Sequence, residues 1–279
     1  MSTKRLLGVF AHPDDEGLIS GALLQYSTSG VETGLICATR GEVGEISDPI
    51  LATPENLGQV REQELRAATN LLGVGNLWFL GYRDSGMAGT PENQDPHAFV
   101  QASAAEAVGK LVAIIRQFRP QVMITFDETG GYGHPDHIAI YRCTTSAFYA
   151  AADGVVYPEL GPGHSVSKMY YASFARRQIL IMLDWMQEQN YQGFFRDLDP
   201  NTLGLSDNQI SVVLDVERWQ ETKMQALSMH RTQMNPNTLL SRIPAELQRK
   251  WRSTEYYQLA TSRVGPDLVG ENDLFARVL

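Results

Sequence analysis

The chain is short of cysteine, of long apolar runs and of positive charge, and each shortage excludes something. Cys37 and Cys143 are the only cysteines in 279 residues. They are too few for a disulfide scaffold and lack Cys-x-x-Cys spacing. Both sit among apolar neighbours and read as buried, inert thiols. No apolar run approaches the roughly 20 residues of a membrane span. The N-terminus reads without a signal peptide, because its short apolar run, residues 6–11, leads straight into a histidine motif. The expected location is a reducing cytoplasm. Acidic residues outnumber basic ones by 32 to 23, for a net charge of −9. That balance argues against nucleic acid and anionic membrane as partners. The one basic cluster, Arg249-Lys250-Trp251-Arg252, reads as a solvated helix face.

Strand-like and helix-like segments alternate along the chain. Residues 5–11 are a nearly continuous apolar run, as in a buried parallel strand. A helix follows over 18–29, with Gly30 as its stop. Strands are predicted at 33–39, 77–80 and 121–126. Thr53 and Pro54 read as the N-cap and first residue of a helix whose apolar side is Leu57, Val60, Ala68, Leu71 and Leu72. Ala105, Val108, Leu111, Val112, Ile115 and Phe118 mark another amphipathic helix, stopped by Pro120. Further elements are read at 169–174, 179–189, 210–216 and 218–229.

This rhythm predicts an α/β, Rossmann-like open sheet, mostly parallel, with helices on both faces. One domain over 1–279 is expected, with a core of about 1–155 and an extension of about 156–279 packing on it. The polar, Gly- and Pro-rich stretches 84–96, 154–165 and 197–207 read as loops that could wall or cover a site.

His-Pro-Asp occurs twice. The first copy is Ala11-His12-Pro13-Asp14-Asp15-Glu16 and the second is Gly133-His134-Pro135-Asp136-His137. Each follows a predicted strand, where ligands bind in open parallel sheets. Together they hold the neutral imidazoles, hard carboxylates and proton carriers of a mononuclear zinc hydrolase. His12 and Asp15, three apart, can face one point as metal ligands. Asp14 between them is then placed as general base. The same residues would also suit an acidic helix N-terminus, and Glu16 is assigned only that role. His134 and His137 share a face if a helix begins there, one for metal and one for substrate; spacing does not say which. Asp136 could hold a histidine's second nitrogen. Gly130-Gly131-Tyr132-Gly133 lets backbone approach a ligand closely, and Tyr132 could donate to an oxyanion. His97 and His164 read as surface residues, and His230 as a helix C-cap or a residue closing over the site.

The two motifs together resemble the LmbE/PIG-L family of zinc-dependent N-deacetylases. Gly41-Glu42-Val43-Gly44-Glu45, Arg61-Glu62-x-Glu64-Leu65-Arg66 and Arg83-Asp84-Ser85-Gly86-Met87 resemble its mycothiol-pathway branch. His230-Arg231-Thr232-Gln233 and Asp273-Leu274-Phe275-Ala276 resemble the conjugate amidases of that branch. Those amidases usually carry a lysine soon after the first motif, where this chain has Gly17-Leu18-Ile19-Ser20. The resemblance implies a Rossmann-like fold and hydrolysis of an N-acetylglucosamine-type amide. By motif match it makes His12, Asp15 and His137 the ligands of one Zn2+ (Fe2+ takes the same ligands). It makes Asp14 the base, gives His134 and Tyr132 the tetrahedral intermediate, and puts Glu45, Arg61 and Asp84 in the sugar pocket. The implied partner is a small N-acetylated amino-sugar conjugate; monomer and homo-oligomer both stay open. Rival readings are a conjugate amidase, an iron(II) oxygenase built on two histidines and a carboxylate, and a non-catalytic sugar- or metal-binding protein.

Overall fold

A computed structural model describes residues 3–190, 203–235, 242–266 and 270–279. The elements run β1 Arg5–Phe10, α1 Ser20–Thr28, β2 Glu32–Cys37, α2 Leu57–Leu71, β3 Asn76–Phe79, α3 Ala104–Phe118, β4 Val122–Thr125 and a single turn α4 Gly130–Gly133. They continue with α5 Pro135–Ala150, β5 Lys168–Ser173, α6 Arg176–Glu188, β6 Val212–Asp215, α7 Gln220–Ser228, α8 Ala245–Arg252 and β7 Thr254–Ser262.

The seven strands form one sheet in the order β3-β2-β1-β4-β5-β7-β6. β1 to β5 are parallel, while β7 pairs antiparallel with both β5 and β6. The winding runs outward from β1 to β3 and then returns to the other side of β1 with β4. That reversal puts α1 and α2 on one face and α3 and α5 on the other, given right-handed crossovers. α3 indeed packs on α5, and α7 joins α1 and α2. The central strands are apolar because both faces are covered: Leu6, Leu7, Val9 and Phe10, and all of β4, are buried. The pairing Leu6 with Val122 and Gly8 with Ile124 lays the carboxyl ends of β1 and β4 side by side at the switch point.

The structure corrects several sequence expectations. α2 begins at Leu57 with Asn56 at its N-cap, not at Thr53-Pro54. The Asn56 side chain instead accepts the Thr53 N–H at 2.8 Å, so residues 53–56 close a turn ahead of the helix. β7 was not expected. The loop 154–165 is no lid. Arg116, near the C-terminus of α3, donates to the carbonyls of Ala150, Ala151, Asp153, Val156, Tyr157 and Gly161 at 2.6–3.2 Å. His164, read as a surface residue, is buried and its Nε2 donates to the Pro120 carbonyl at 2.7 Å. Both anchors lie at the amino ends of the strands, away from the motifs. Of the expected loop 197–207, residues 197–202 lie outside the described residues. In the basic cluster, Arg249 and Lys250 are exposed, whereas Trp251 and Arg252 are half-buried against a cavity.

Hydrogen bonds to a charged group contribute about 1.5–3 kcal/mol each, and stranded buried carbonyls cost more. Arg116→Ala is therefore expected to lower unfolding free energy in urea by more than about 3 kcal/mol. Turnover per folded molecule should stay unchanged, since Arg116 lies at the amino ends of the strands, opposite both motifs.

Candidate active site

The second His-Pro-Asp is a helix start. His134 is the N-cap of α5, its Nδ1 accepting the Asp136 N–H at 3.2 Å. Pro135 takes the first helical position, where a missing N–H costs nothing. Asp136 follows in the first turn, favoured by the helix dipole. His137 comes one residue later and turns into the site. Its Nδ1 donates to the Gly130 carbonyl at 3.0 Å, which leaves Nε2 bare. Gly130 is required for that contact: its φ is +62°, and a Cβ there would stand 2.6 Å from the His137 Cβ. Phe126 stacks on the His137 ring at 4.0 Å.

The first copy behaves differently. His12 lies just beyond the end of β1, and Asp15 folds back so that its Oδ2 accepts the N–H groups of Ala11 and His12 at 3.1 and 2.7 Å. Asp14 sits at φ +103°, in the left-handed region, before a 3-10 turn over Asp15–Ile19. Such a conformation in a non-glycine residue costs on the order of 1–3 kcal/mol and persists only where the surroundings impose it.

The two copies meet through His12. Its Nε2 lies 3.1 Å from Asp136 Oδ2 and 3.6 Å from Asp84 Oδ1, so that nitrogen carries a proton. Its Nδ1 then faces His137 Nε2 at 3.1 Å. The Asp15 carboxylate faces both rings through different oxygens, Oδ1 3.4 Å from His137 Nε2 and Oδ2 3.7 Å from His12 Nδ1. A tetrahedral ion with legs near 2.0–2.1 Å needs donors about 3.3 Å apart. The donors present fit that requirement, and the partner on each ring's other nitrogen fixes the tautomer a metal needs. His134 also brings a nitrogen within 4.8 Å of those of His12 and His137.

Burial and proximity set the protonation states. Burial resists charge on His12, but its contacts to Asp136 and Asp84 outweigh this and hold its pKa well above the ordinary value. Burial, reinforced by His12, pushes His137 down to about 3; burial with both neighbouring histidines takes His134 to about 4. His134 is therefore neutral, with Nδ1 accepting a backbone N–H and the proton on Nε2. Burial and the adjacent Asp15 raise Asp14 to about 7, and burial raises Asp15 to about 6.

Residues 7–148 match the family described as GlcNAc-PI de-N-acetylase, PIG-L. Along nearly its whole length the chain is 39% identical to a 1D-myo-inositol 2-acetamido-2-deoxy-alpha-D-glucopyranoside deacetylase of Geodermatophilus obscurus, covering 98% of each. The chain belongs to the PIG-L family. A relative of the same name from Rhodococcus erythropolis is 37% identical, over 98% of this chain and 97% of its own. Among solved structures, the N,N'-diacetylchitobiose deacetylase of Pyrococcus horikoshii matches with a TM-score of 0.65 at 20% identity, over 92% of this chain and 84% of its own. GalB, a 4-carboxy-2-hydroxymuconate hydratase of Pseudomonas putida, matches at 0.59 and 16% identity, over 95% of this chain and 100% of its own.

The remaining predicted residues of this PIG-L chain divide. Tyr132 stands on α4, 40% exposed, its ring 5.2 Å from that of His137 and 6.2 Å from that of His134. Asp84 is buried beside His12, accepting the Gly86 N–H at 2.9 Å. Arg61 is buried and grips the carbonyls of Gly41 and Glu45, both at 3.0 Å, so it braces the loop that carries Glu45. Glu45 itself is exposed. A cavity of about 480 Å³ opens on Asp14, Asp15, Tyr132 and His137 and continues between apolar side chains that include Phe174, Met182, Met186 and Trp251. Glu45, Arg61 and Asp84 lie outside its lining.

Sequence reasoning missed three partners. Ser85 donates to the fully buried Asp136 through its N–H at 2.9 Å and its hydroxyl at 2.5 Å. Glu16, assigned only to a helix terminus, is buried and joined to His230 Nε2 at 2.5 Å. Glu64 accepts two bonds from Thr232, at 2.8 and 2.6 Å. The first motif and the Arg61-to-Arg66, Arg83-to-Met87 and His230-to-Gln233 likenesses contained these residues without showing which of them pair.

Two expectations follow. Ser85→Ala frees the carboxylate that orients His12 and should weaken metal binding about 10–100-fold in a competition titration. His230, whose pKa is raised above 6.5 by Glu16 against the opposing effect of burial, contributes stability that is complete below pH 6.5. That stability is lost as pH rises through the raised value. The stability gap between wild type and His230→Gln should therefore narrow between pH 6 and 9 in urea titrations.

Proposed function

We propose that the chain is a metal-dependent N-deacetylase that hydrolyses the acetamide of a small N-acetylglucosamine conjugate. The observation that carries this reading is the convergence of His12 Nδ1, His137 Nε2 and the Asp15 carboxylate beside Asp14. Membership of the PIG-L family and relatives named as deacetylases of a glucosaminyl-inositol support the amide and the sugar. In this reading His12, Asp15 and His137 hold the ion. When bound, a divalent metal such as Zn2+ polarises the acetyl carbonyl and acidifies water.

The chain's own groups do the rest. Asp14, free of the ligand set and aimed into the cavity, takes the proton of the attacking water. Its carboxylate, raised to about 7 by burial and the adjacent Asp15, would be held in its ionised form by a divalent cation in the neighbouring ligand set. His134 is neutral and carries its proton on Nε2, so it donates a hydrogen bond to the developing oxyanion, and Asp14 passes the proton it took from water on to the departing amine. Tyr132, at the mouth of the cavity, assists at the same oxygen. Asp136 acts through His12, fixing its ring and tautomer. Asp84 shares that task, and the arginine at 61 shapes the loop on which Glu45 meets the sugar.

Among the described residues no helix is long and apolar enough to cross a membrane, which suits a small polar substrate. The apolar stretch of the cavity favours a second reading, amide cleavage in a larger conjugate with an apolar substituent. Free amine and acetate released from a panel of N-acetylglucosaminides, glucosaminyl-inositol included, separate the two: the deacetylase reading requires acetate in stoichiometric amount. Asp14→Asn should keep its metal by elemental analysis and lose about 10²–10⁴-fold in kcat. Full activity in that variant removes Asp14 from the mechanism.

A further inference from the structure

The strained conformation of Asp14 has an external cause. The peptide unit joining Pro13 to Asp14 is held at both of its polar groups. Its carbonyl accepts the Gln233 Nε2–H at 2.8 Å. Its N–H donates to Glu16 Oε2 at 2.9 Å, and the other oxygen of Glu16 is bound by His230 Nε2 at 2.5 Å. Rotation of that peptide plane is the motion that would let Asp14 leave φ +103° for an ordinary conformation. It would break both contacts. Both grips trace to one stretch of chain, residues 230–233, more than 200 positions away.

That stretch is itself fastened. Thr232, fully buried, gives its N–H and hydroxyl to Glu64 on α2. Its carbonyl accepts the Ser47 N–H at 2.9 Å, and the Arg231 carbonyl accepts the Ser47 hydroxyl at 2.7 Å. His230 and Glu16 are both almost completely buried, so their contact is not loosened by water.

We propose that residues 230–233 form a clamp whose function is to aim the general base: Gln233 directly, and His230 through Glu16, are positioning residues that hold the Pro13–Asp14 peptide in its strained orientation. The inference rests on the proposed role of Asp14. It makes the C-terminal segment part of the catalytic apparatus without touching substrate or metal. A carboxylate displaced by about 1 Å from its attack geometry loses about 100-fold in rate.

The test is a double-mutant cycle with Gln233→Glu, which keeps the shape of the side chain and removes its donor. Metal content, thermal midpoint, kcat and KM are measured for wild type, Gln233→Glu, Asp14→Asn and the double variant. Single-turnover conditions with enzyme in excess keep the slow forms readable. The expected result is kcat down about 10–100-fold in Gln233→Glu, with KM, metal stoichiometry and thermal midpoint retained, and less than about twofold further loss when Asp14 is already Asn. His230→Gln should show the same fall in kcat and the same dependence on Asp14, with a thermal midpoint lowered as the loss of its pair with Glu16 requires. An unchanged kcat in Gln233→Glu overturns the clamp, as does an equal fold-loss in the Asp14→Asn background, because the segment would then act other than through the base. An inactive wild type instead overturns the deacetylase reading and, with it, the role the clamp serves.

Discussion

Two imidazole nitrogens, His12 Nδ1 and His137 Nε2, stand 3.1 Å apart while the other nitrogen of each ring is engaged elsewhere, and that contact is the constraint around which the site is arranged. His137 spends its Nδ1 proton on the Gly130 carbonyl, and His12 spends its Nε2 proton on Asp136. The lone pairs left facing each other repel unless positive charge lies between them. The same demand shows as the divergence of the two rings: Asp136 and Asp84 hold His12 toward its cationic form against burial, while burial pushes His137 to about 3. In the proposed reading a dication with Asp15 as its third ligand would meet that demand more completely than a proton does.

The sheet exists in its present order to allow that approach. Only when β1 and β4 are hydrogen-bonded neighbours do residues 12 and 137 leave adjacent strand ends. The two copies of His-Pro-Asp then use one helix-start grammar toward opposite ends. In the second copy the aspartate enters the helix and is buried against Ser85, where it steers His12. In the first the aspartate is forced to positive φ and stays out of the turn, where it faces the cavity. Sequence identity of the tripeptide conceals a difference in backbone conformation, and the difference assigns the roles.

The parts legible beforehand were those written locally. Apolar runs announced β1 and β4, and their carboxyl ends located both motifs, because burial on both faces leaves no alternation to misread. The start of α2 was misplaced by three residues because a threonine before a proline imitates a cap, while Asn56 closes the turn. β7 escaped because its Tyr256, Tyr257 and Leu259 follow directly on a helical stretch with no Gly or Pro between them. His164, Glu16 and Ser85 escaped for another reason. Each is a polar residue buried by a partner 44 to 214 positions away, and no window of sequence contains both members of such a pair.

Fold alone leaves the chemistry open. The same architecture is shared by a sugar deacetylase and by GalB, a hydratase, at comparable TM-scores, so the sheet is a scaffold on which different reactions are built. What narrows the choice here is the state of each donor. A neutral His134 with its proton on Nε2 can serve an oxyanion but cannot begin as a base. Asp14, which lies outside the proposed ligand triangle and faces the cavity, suits the role of proton acceptor in that proposal. The strain at Asp14 ties this division of labour to the C-terminal half. A base held in an unfavourable conformation needs partners that resist its relaxation, and β1 with its turn supplies only one of them, Glu16. The other contacts come from beyond residue 229. On the proposed reading the segment after the sheet's parallel core serves the reaction by mechanics rather than by substrate contact, for a site whose proposed metal ligands all lie in the first 137 residues.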